Sequence, residues 1–375
     1  MPPHTPSTQA LATANRLEHI EAARRAVLQE GTLTTPAGME AWIDRSWRRC
    51  LARGHRPEQP LVFEAVSAPA VRRAIEASQP LLRAAAPVIR SLARAMADTR
   101  YFAILTDAQG VVIDVNGPVD RHNPSASLIA RVGVDLSERA VGTTAIGATL
   151  AELQPVWLHR GEHFFNGTGM YSCAGAPLFG PDGRCVGMLD LTGIDVPERP
   201  ALKHLVTQSA LSIENALTLA QPHHLLLRIH WPGRTLGEDS DGLVCVDAEG
   251  QITGANRAAA HMLMLAPGHP WPHCEAVFAI PTASLFDAAR NAQPALEVPL
   301  WTGLRLQVLP TLRDSPRSPT GPITVGSMPK APLRDVEVAL IRKAVEDARG
   351  NVMEAARVLG ISRATVYRKL SRKKT

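Results

Sequence analysis

The 375-residue chain contains no stretch approaching the length of uncharged apolar sequence that a bilayer-crossing helix needs, so no membrane span is expected. Its first thirty residues carry His, Glu and Arg throughout and lack an apolar signal core, which speaks against secretion. Cysteine is scarce. The five present (Cys50, Cys173, Cys185, Cys245 and Cys274) are scattered, and none forms a CxxC pair. That argues against a disulfide framework or a structural zinc site and fits a reducing cytoplasm. Also missing is any GxxxxGK[ST] phosphate loop; the nearest candidate, Gly180–Gly183, lacks the lysine. The expectation is a non-enzymatic protein without a cofactor.

What is present is an ordinary globular composition, 45% hydrophobic and 20% charged, in a chain long enough for two or three domains. The net charge of +5 is unevenly placed. From Lys330 to Thr375 there are 12 Lys/Arg against 5 Asp/Glu, whereas the other 329 residues hold 28 against 30. After Glu354 there are seven basic residues and no acid. A basic end on a near-neutral body is the electrostatic footprint of a nucleic-acid-binding domain.

Periodicity divides the chain further. A helix is expected around Leu17–Leu28. Another over 39–54 places Trp42, Trp47, Cys50 and Leu51 on one face and stops at Gly54. A third helical stretch covers 67–97, with Pro80 and Pro87 interrupting it. Two apolar strands flank Asp107-Ala108-Gln109-Gly110, and a second hairpin over 173–192 turns at Pro181-Asp182-Gly183. Residues 201–219 form an amphipathic helix. A smaller α+β unit follows: strands at 242–246 and 251–255, a helix capped by Asn256, and a closing strand pair over 294–310. Five prolines with Ser and Gly in 313–332 read as a linker. The expected fold is multidomain α+β: an N-terminal helical segment (1–97), a sensory unit (98–220), a second α+β unit (221–312), the linker (313–332) and an all-α end (333–375).

The C-terminal segment carries the sharpest pattern. Three helices can be drawn from Leu333, the first ending at Gly350, the second capped by Asn351, the third capped by Ser362. Ala355 and Ala356 are small where two helices must cross, and Gly360 permits a left-handed turn. Ile361, Val366 and Leu370 face inward. That leaves Ser362, Arg363, Ala364, Thr365, Tyr367, Arg368, Lys369 and Arg372 as candidate DNA contacts, since a recognition helix reads bases near its N-terminus and holds phosphates around it. A basic solvated tail is the plainer alternative. The string NVMEAARVLGISRATVYRKL resembles the Fis-type helix-turn-helix that ends bacterial enhancer-binding activators. The resemblance implies dimeric binding to a pseudo-palindromic site on double-stranded DNA.

The middle carries a second resemblance. RVGVDLSERAVGTTAIGATLAELQPVWLHRGEHFF and YSCAGAPLFGPDGRCVGMLDLTG are similar to the GAF sensor of the acetoin-catabolism-regulator type of sigma-54 activator. SWRRCLARG resembles the same group's opening helix, so the likeness spans about 40–220. Residues 236–309 resemble the PAS-type domain that often follows. Thr144 stands where the group often has Asn, and Gly175 where it has Ala, changes that bear on ligand choice. Such units imply a small pocket, mainly apolar with a few placed polar groups. Candidate lining residues are Glu138, Thr143, Thr144, His163, Phe164, Ser172 and Cys173. Each has a plainer reading. Thr143 and Thr144 could cap a helix, Glu138 could satisfy that helix start, His163 could be a core histidine, and Cys173 a small apolar residue. His159, His163, Cys173 and Cys185 could be assembled on paper into a zinc set, though their spacing is not compact.

Activators of this group carry a central AAA+ ATPase, and the linker stands where it would be. The resemblance therefore implies a ligand-responsive regulator, a homodimer with a small-molecule effector, acting on RNA polymerase by occupancy rather than ATP-driven remodelling. An acetoin-like or other short polar compound is the effector that the resemblance suggests. Two other classes stay open: an architectural DNA-bending protein, and a thiol-based enzyme using Cys173 and Cys185.

Overall fold

The computed structural model describes residues 8–313 except 269, and residues 338, 341, 342, 344, 345, 348, 350–359 and 361–370. The linker read at 313–332 lies, apart from Arg313, outside the described residues. Within them the chain is α+β with two antiparallel five-stranded sheets.

The N-terminal part is helical: α1 (Thr8–Arg24), α2 (Ala41–Ala52), α3 (Ala68–Ala77) and α4 (Gln79–Ala95). The expected face of α2 is the one that packs: Trp42, Trp47 and Cys50 are buried. Pro80 lies in the first turn of α4, where its missing N–H costs nothing. Pro87, expected to interrupt, does not: α4 runs through it. Burial of Leu81, Ala85, Val88, Ile89 and Leu92 along one face offsets the lost hydrogen bond.

The first sheet follows. Strands β1 (Tyr101–Asp107) and β2 (Val112–Asn116) form the first hairpin. Short helices α5 (Pro124–Ile129), α6 (Glu138–Val141) and α7 (Ala145–Glu152) lead to β3 (Val156–His159). Strands β4 (Tyr171–Phe179) and β5 (Cys185–Ile194) form the second hairpin, and α8 (Leu202–Leu219) closes the unit. The order is β2-β1-β5-β4-β3. Both faces are covered. Phe102, Ile104, Cys173 and Met188 pack with Trp42 and Trp47, while Tyr101, Ala103, Leu105, Leu189 and Leu191 pack against α4 and α8. Alternation along each strand thus feeds two cores. The N-terminal helices belong to these same cores.

The second sheet runs β8 (Ile252–Ala255), β7 (Gly242–Val246), β6 (Leu225–His230), β10 (Arg305–Leu312), β9 (Leu296–Pro299). Helices α9 (Arg257–Met262) and α10 (Thr282–Arg290) complete it. Asn256 caps α9 by accepting from Ala259 N–H at 2.8 Å. Strand β6 and helix α10 were not anticipated in the sequence. In β6, Leu225, Leu227 and Ile229 point inward and alternate with half-buried residues.

Candidate functional site

Two places in the chain carry candidate chemistry. At the C-terminal end, Asn351 caps the helix Val352–Val358 by accepting from Met353 and Glu354 N–H, both at 3.2 Å. Ala355 and Ala356 are buried with Ile341, Ala344, Leu359 and Val366 in a small core of their own. The chain then turns through Ile361 N–H to Ala356 C=O at 3.0 Å. Ser362 precedes the helix Arg363–Leu370 and accepts from Thr365 N–H at 3.2 Å. With Val366 inward, Ser362, Arg363 and Tyr367 are exposed and Thr365 is half-buried. Ala364, Arg368 and Lys369 lie on the same helix, and their side chains, like Arg372, Gly360 and the side chain of Leu370, lie outside the described residues.

The second place is a small cavity of about 30 Å³ between the first sheet and α7. Ile104, Ile129, Leu136 and Ile146 supply apolar wall, and Thr144, His163, Cys173, Asp190 and Thr192 lie around it. The volume is room for about two water-sized groups. Three of the seven candidates read from the sequence therefore line it: Thr144, His163 and Cys173. Thr144 also caps α7, accepting from Gly147 N–H at 3.1 Å.

The other four sit elsewhere, each with a partner. Glu138 is a buried hub that accepts from Ser46 Oγ at 2.6 Å, from Arg49 at 2.8 Å through two nitrogens, and from Arg53 at 2.8 Å. Burial pushes its carboxyl up, but the hydrogen bonds from Arg49, Ser46 and Arg53 outweigh that and hold it below its usual range. Thr143 Oγ1 meets Ser46 Oγ at 2.8 Å. Phe164 is wholly buried against Phe165. Ser172, one residue from Cys173 and so on the opposite face of β4, meets His159 Nδ1 at 2.7 Å. The paper zinc set is split in the same way, because His159 turns away with Ser172 and Cys185 lies at the far end of the β4–β5 hairpin.

The polar groups around the cavity form a chain. His163 Nδ1 donates to Arg160 C=O at 2.8 Å, so Nε2 is left as acceptor toward Cys173 Sγ at 3.6 Å. Thr192 Oγ1 reaches Cys173 Sγ at 3.3 Å and also contacts Asp190 Oδ2. Burial lowers the His163 imidazole to about 4, raises the Cys173 thiol well above its usual value and lifts Asp190 to about 7. A buried, neutral thiol is poor equipment for nucleophilic chemistry. All five cysteines are free.

A further residue holds the cavity's rim. Arg24, on α1, donates to the carbonyls of Gly161 (2.8 Å), His163 (2.5 Å) and Phe164 (2.9 Å), and to Asn166 Oδ1 (2.7 Å). It fixes the loop that presents His163. No local pattern distinguished Arg24 from the helix's other polar residues. Asp190 and Thr192 were missed for another reason: in CVGMLDLTG they sit at alternate strand positions, which reads as a solvent face.

The chain thus joins an α+β unit containing a small cavity to a helix-turn-helix. Residues 18–215 match the family model described as MimR, N-terminal domain, and residues 332–372 match that of the bacterial regulatory protein, Fis family. The chain belongs to the MimR N-terminal domain family and carries a Fis-type helix-turn-helix. No AAA+ ATPase model is among the family matches. The acetoin catabolism regulatory protein of Cupriavidus necator is 29% identical over 259 residues, covering 66% of this chain and 38% of that protein. The propane 2-monooxygenase operon transcriptional activator MimR of Mycolicibacterium smegmatis is 29% identical over 197 residues, covering 52% of this chain and 32% of that protein. The chain thus spans only 38% and 32% of the length of these two relatives. Among solved structures, the E. coli DhaR(N)–DhaL complex contains a similar chain, with TM-score 0.45 and 17% identity over 73% of this chain and 100% of that one.

Proposed function

We propose that this protein is an effector-responsive regulator that binds double-stranded DNA as a homodimer through residues 333–375. It acts by occupying its site, recruiting or blocking RNA polymerase, without ATP-driven remodelling. Residues 98–220 are read as a GAF-like sensor and 221–312 as a PAS-like unit. The observation that carries this reading is the small cavity lined by Thr144, His163 and Cys173 in a chain that also bears the helix-turn-helix. Its size and mainly apolar wall suit an uncharged molecule of a few heavy atoms. Neither acetoin nor propane, named for the relatives' operons, is assigned here. Glu138, Thr143, Phe164 and Ser172 serve by positioning the cavity's walls.

Effector binding changes DNA occupancy only through differential affinity for two states of the chain. On the DNA side, Ser362, Arg363, Ala364, Thr365, Tyr367, Arg368, Lys369 and Arg372 make the contacts. The test selects bound fragments from a random duplex pool and measures affinity by fluorescence anisotropy. Arg363→Ala is expected to cost about 1–3 kcal/mol, and removal of residues 330–375 to abolish site-specific binding. Site-specific binding retained by the truncated chain refutes the assignment.

A further inference from the structure

A larger opening lies apart from the small cavity. Helices α1 and α2, strand β3 and the start of α8 bound a cleft of about 560 Å³, and none of its lining residues lines the small cavity. That volume is in the range of sites for small organic molecules, about 300–1,000 Å³.

The wall is aromatic. The chain has six tryptophans, and three of them, Trp42, Trp47 and Trp157, line this one cleft. The plainer reading is that these rings only fill core. Trp47 fits it: the ring is wholly buried and its N–H donates to Glu162 C=O at 2.9 Å. Trp42 and Trp157 fit it less well. Both are more than nine-tenths buried, yet neither Nε1 has a partner. Arg16 Nε, in the same wall, is unpaired too, although the terminal nitrogens reach Glu162 at 2.8 Å and Glu198 at 2.9 Å. Among the described residues, the buried side-chain nitrogens without a partner are these three and Arg199 Nε, and Arg199 adjoins the lining Pro200. The unspent nitrogen donors thus gather at one cleft. They are shut off from water in this conformation, so an acceptor meets them by a small turn of the side chain. A buried donor left unsatisfied is costly, which favours a partner that reaches it.

The charge at the cleft points the same way. Lys203 is half-buried and makes no ion pair or side-chain hydrogen bond among the described residues. Of the two acids in the wall, Glu162 is taken up by Arg16 and by His159 N–H at 2.7 Å, and Glu40 is exposed, where water screens it. What is left over is one cation and a set of donors beside flat apolar surface.

We propose that this cleft binds a planar aromatic carboxylate, with its ring against the indoles of Trp42 and Trp157 and its carboxylate on Lys203. A carboxylate carries only acceptors and suits a wall of donors. A flat ring suits indoles better than a globular hydrocarbon does. A cationic ligand meets like charge at Lys203 and donors beside it. The assignment does not rest on the small cavity or on the effector read there, and either can fail alone.

The test uses the full chain and isothermal titration calorimetry with three probes of equal heavy-atom count. These are naphthoate, its uncharged amide naphthamide, and adamantanecarboxylate, which keeps the charge but is not flat. All three are too large for the small cavity, so binding reports on the cleft. Naphthoate is expected to bind about tenfold tighter than naphthamide and roughly threefold tighter than adamantanecarboxylate. Lys203→Met keeps a long stem and removes the charge. It should bring naphthoate down to the affinity of naphthamide and leave naphthamide unchanged. Trp157→Phe removes one unspent N–H and should weaken naphthoate roughly threefold. Should that variant misfold, Lys203→Met decides, because its side chain is not part of a core. If naphthamide binds as tightly as naphthoate, the carboxylate assignment falls. If adamantanecarboxylate does, the planar ring falls. If no probe binds, or Lys203→Met holds naphthoate as the wild-type chain does, the site itself falls.

Discussion

The two sheets have the same strand number and the same antiparallel pairing, yet the first has two buried faces along most of its strands, whereas in the second only β7 is buried throughout. In the first sheet α2 and α7 cover one side and α4 and α8 the other, and the interior retains Asp190, His159, His163 and Glu162. In the second sheet β6 buries alternate residues, and large apolar groups such as Met264 and Trp301 stand exposed. A sheet covered on both sides can enclose a space and hold titratable groups away from water. A sheet covered on one side offers support and an outer surface. The two meet at the β4–β5 turn, where Pro181 C=O accepts from Ala255 N–H at 2.9 Å and from Trp271 Nε1 at 2.8 Å. The hairpin that carries Cys173, Asp190 and Thr192 is therefore clamped by the second unit at its far end.

The largest test of this contrast compares two core truncations. Trp47→Ala and Phe278→Ala each remove a wholly buried ring, and each should cost about 3–5 kcal/mol in denaturant melts. Only Trp47→Ala should also abolish effector binding, because its indole N–H holds Glu162 C=O at 2.9 Å beside the rim. Equal loss of binding in both variants would erase the distinction between the units.

Next is the Glu138 hub. Arg49→Met should destabilise by about 2 kcal/mol, below the full value for a buried pair because the guanidinium is partly exposed. A circular-dichroism melt measures it.

Buried ionisable groups should give the first unit a pH signature. Asp190 is raised to about 7, so its contribution is complete below about pH 4 and is lost as pH rises toward 7. His163, lowered to about 4, has the opposite sign: its contribution is present above its unfolded pKa near 6.5 and is lost as pH falls toward 4. Asp190→Asn should remove only the first slope, at most about 1.4 kcal/mol per pH unit. If Asp190→Asn leaves the pH dependence of stability between pH 4 and pH 7 the same as in the wild-type chain, Asp190 is not protonated in the folded chain.

The smallest effect is expected at the joint. Trp271→Phe removes one donor to Pro181 C=O and should cost about 1 kcal/mol. Effector affinity should hold, while the change in DNA affinity on effector binding shrinks. A full response in this variant would show that the clamp carries no coupling.

Much of the architecture was legible because it is local. The hairpins at Asp107–Gly110 and Pro181–Gly183, the buried face of α2 and the caps Asn256, Asn351 and Ser362 each follow from a few neighbouring residues. The persistence of α4 through Pro87 was not legible, since packing supplies what the proline removes. Nor was the division of the candidate residues into Thr144, His163 and Cys173 at the cavity and Glu138, Thr143, Phe164 and Ser172 away from it. Cys173 and Ser172 are neighbours on β4 and so face opposite sides of the sheet, and only the helices packed on each side decide which of the two meets the cavity.

By itself, then, the order of residues determined the helix-turn-helix, its basic surround and the α+β pattern ahead of it, because caps, turns and amphipathic faces are short-range physics. The tertiary structure alone decided that Asp190 and Thr192, polar alternates on a strand, lie inside. A strand's period says that they share a face; what covers that face comes from helices far away in the chain. The basic tail identifies where the output lies, whereas the chemistry of the input depends on groups that only folding brings together.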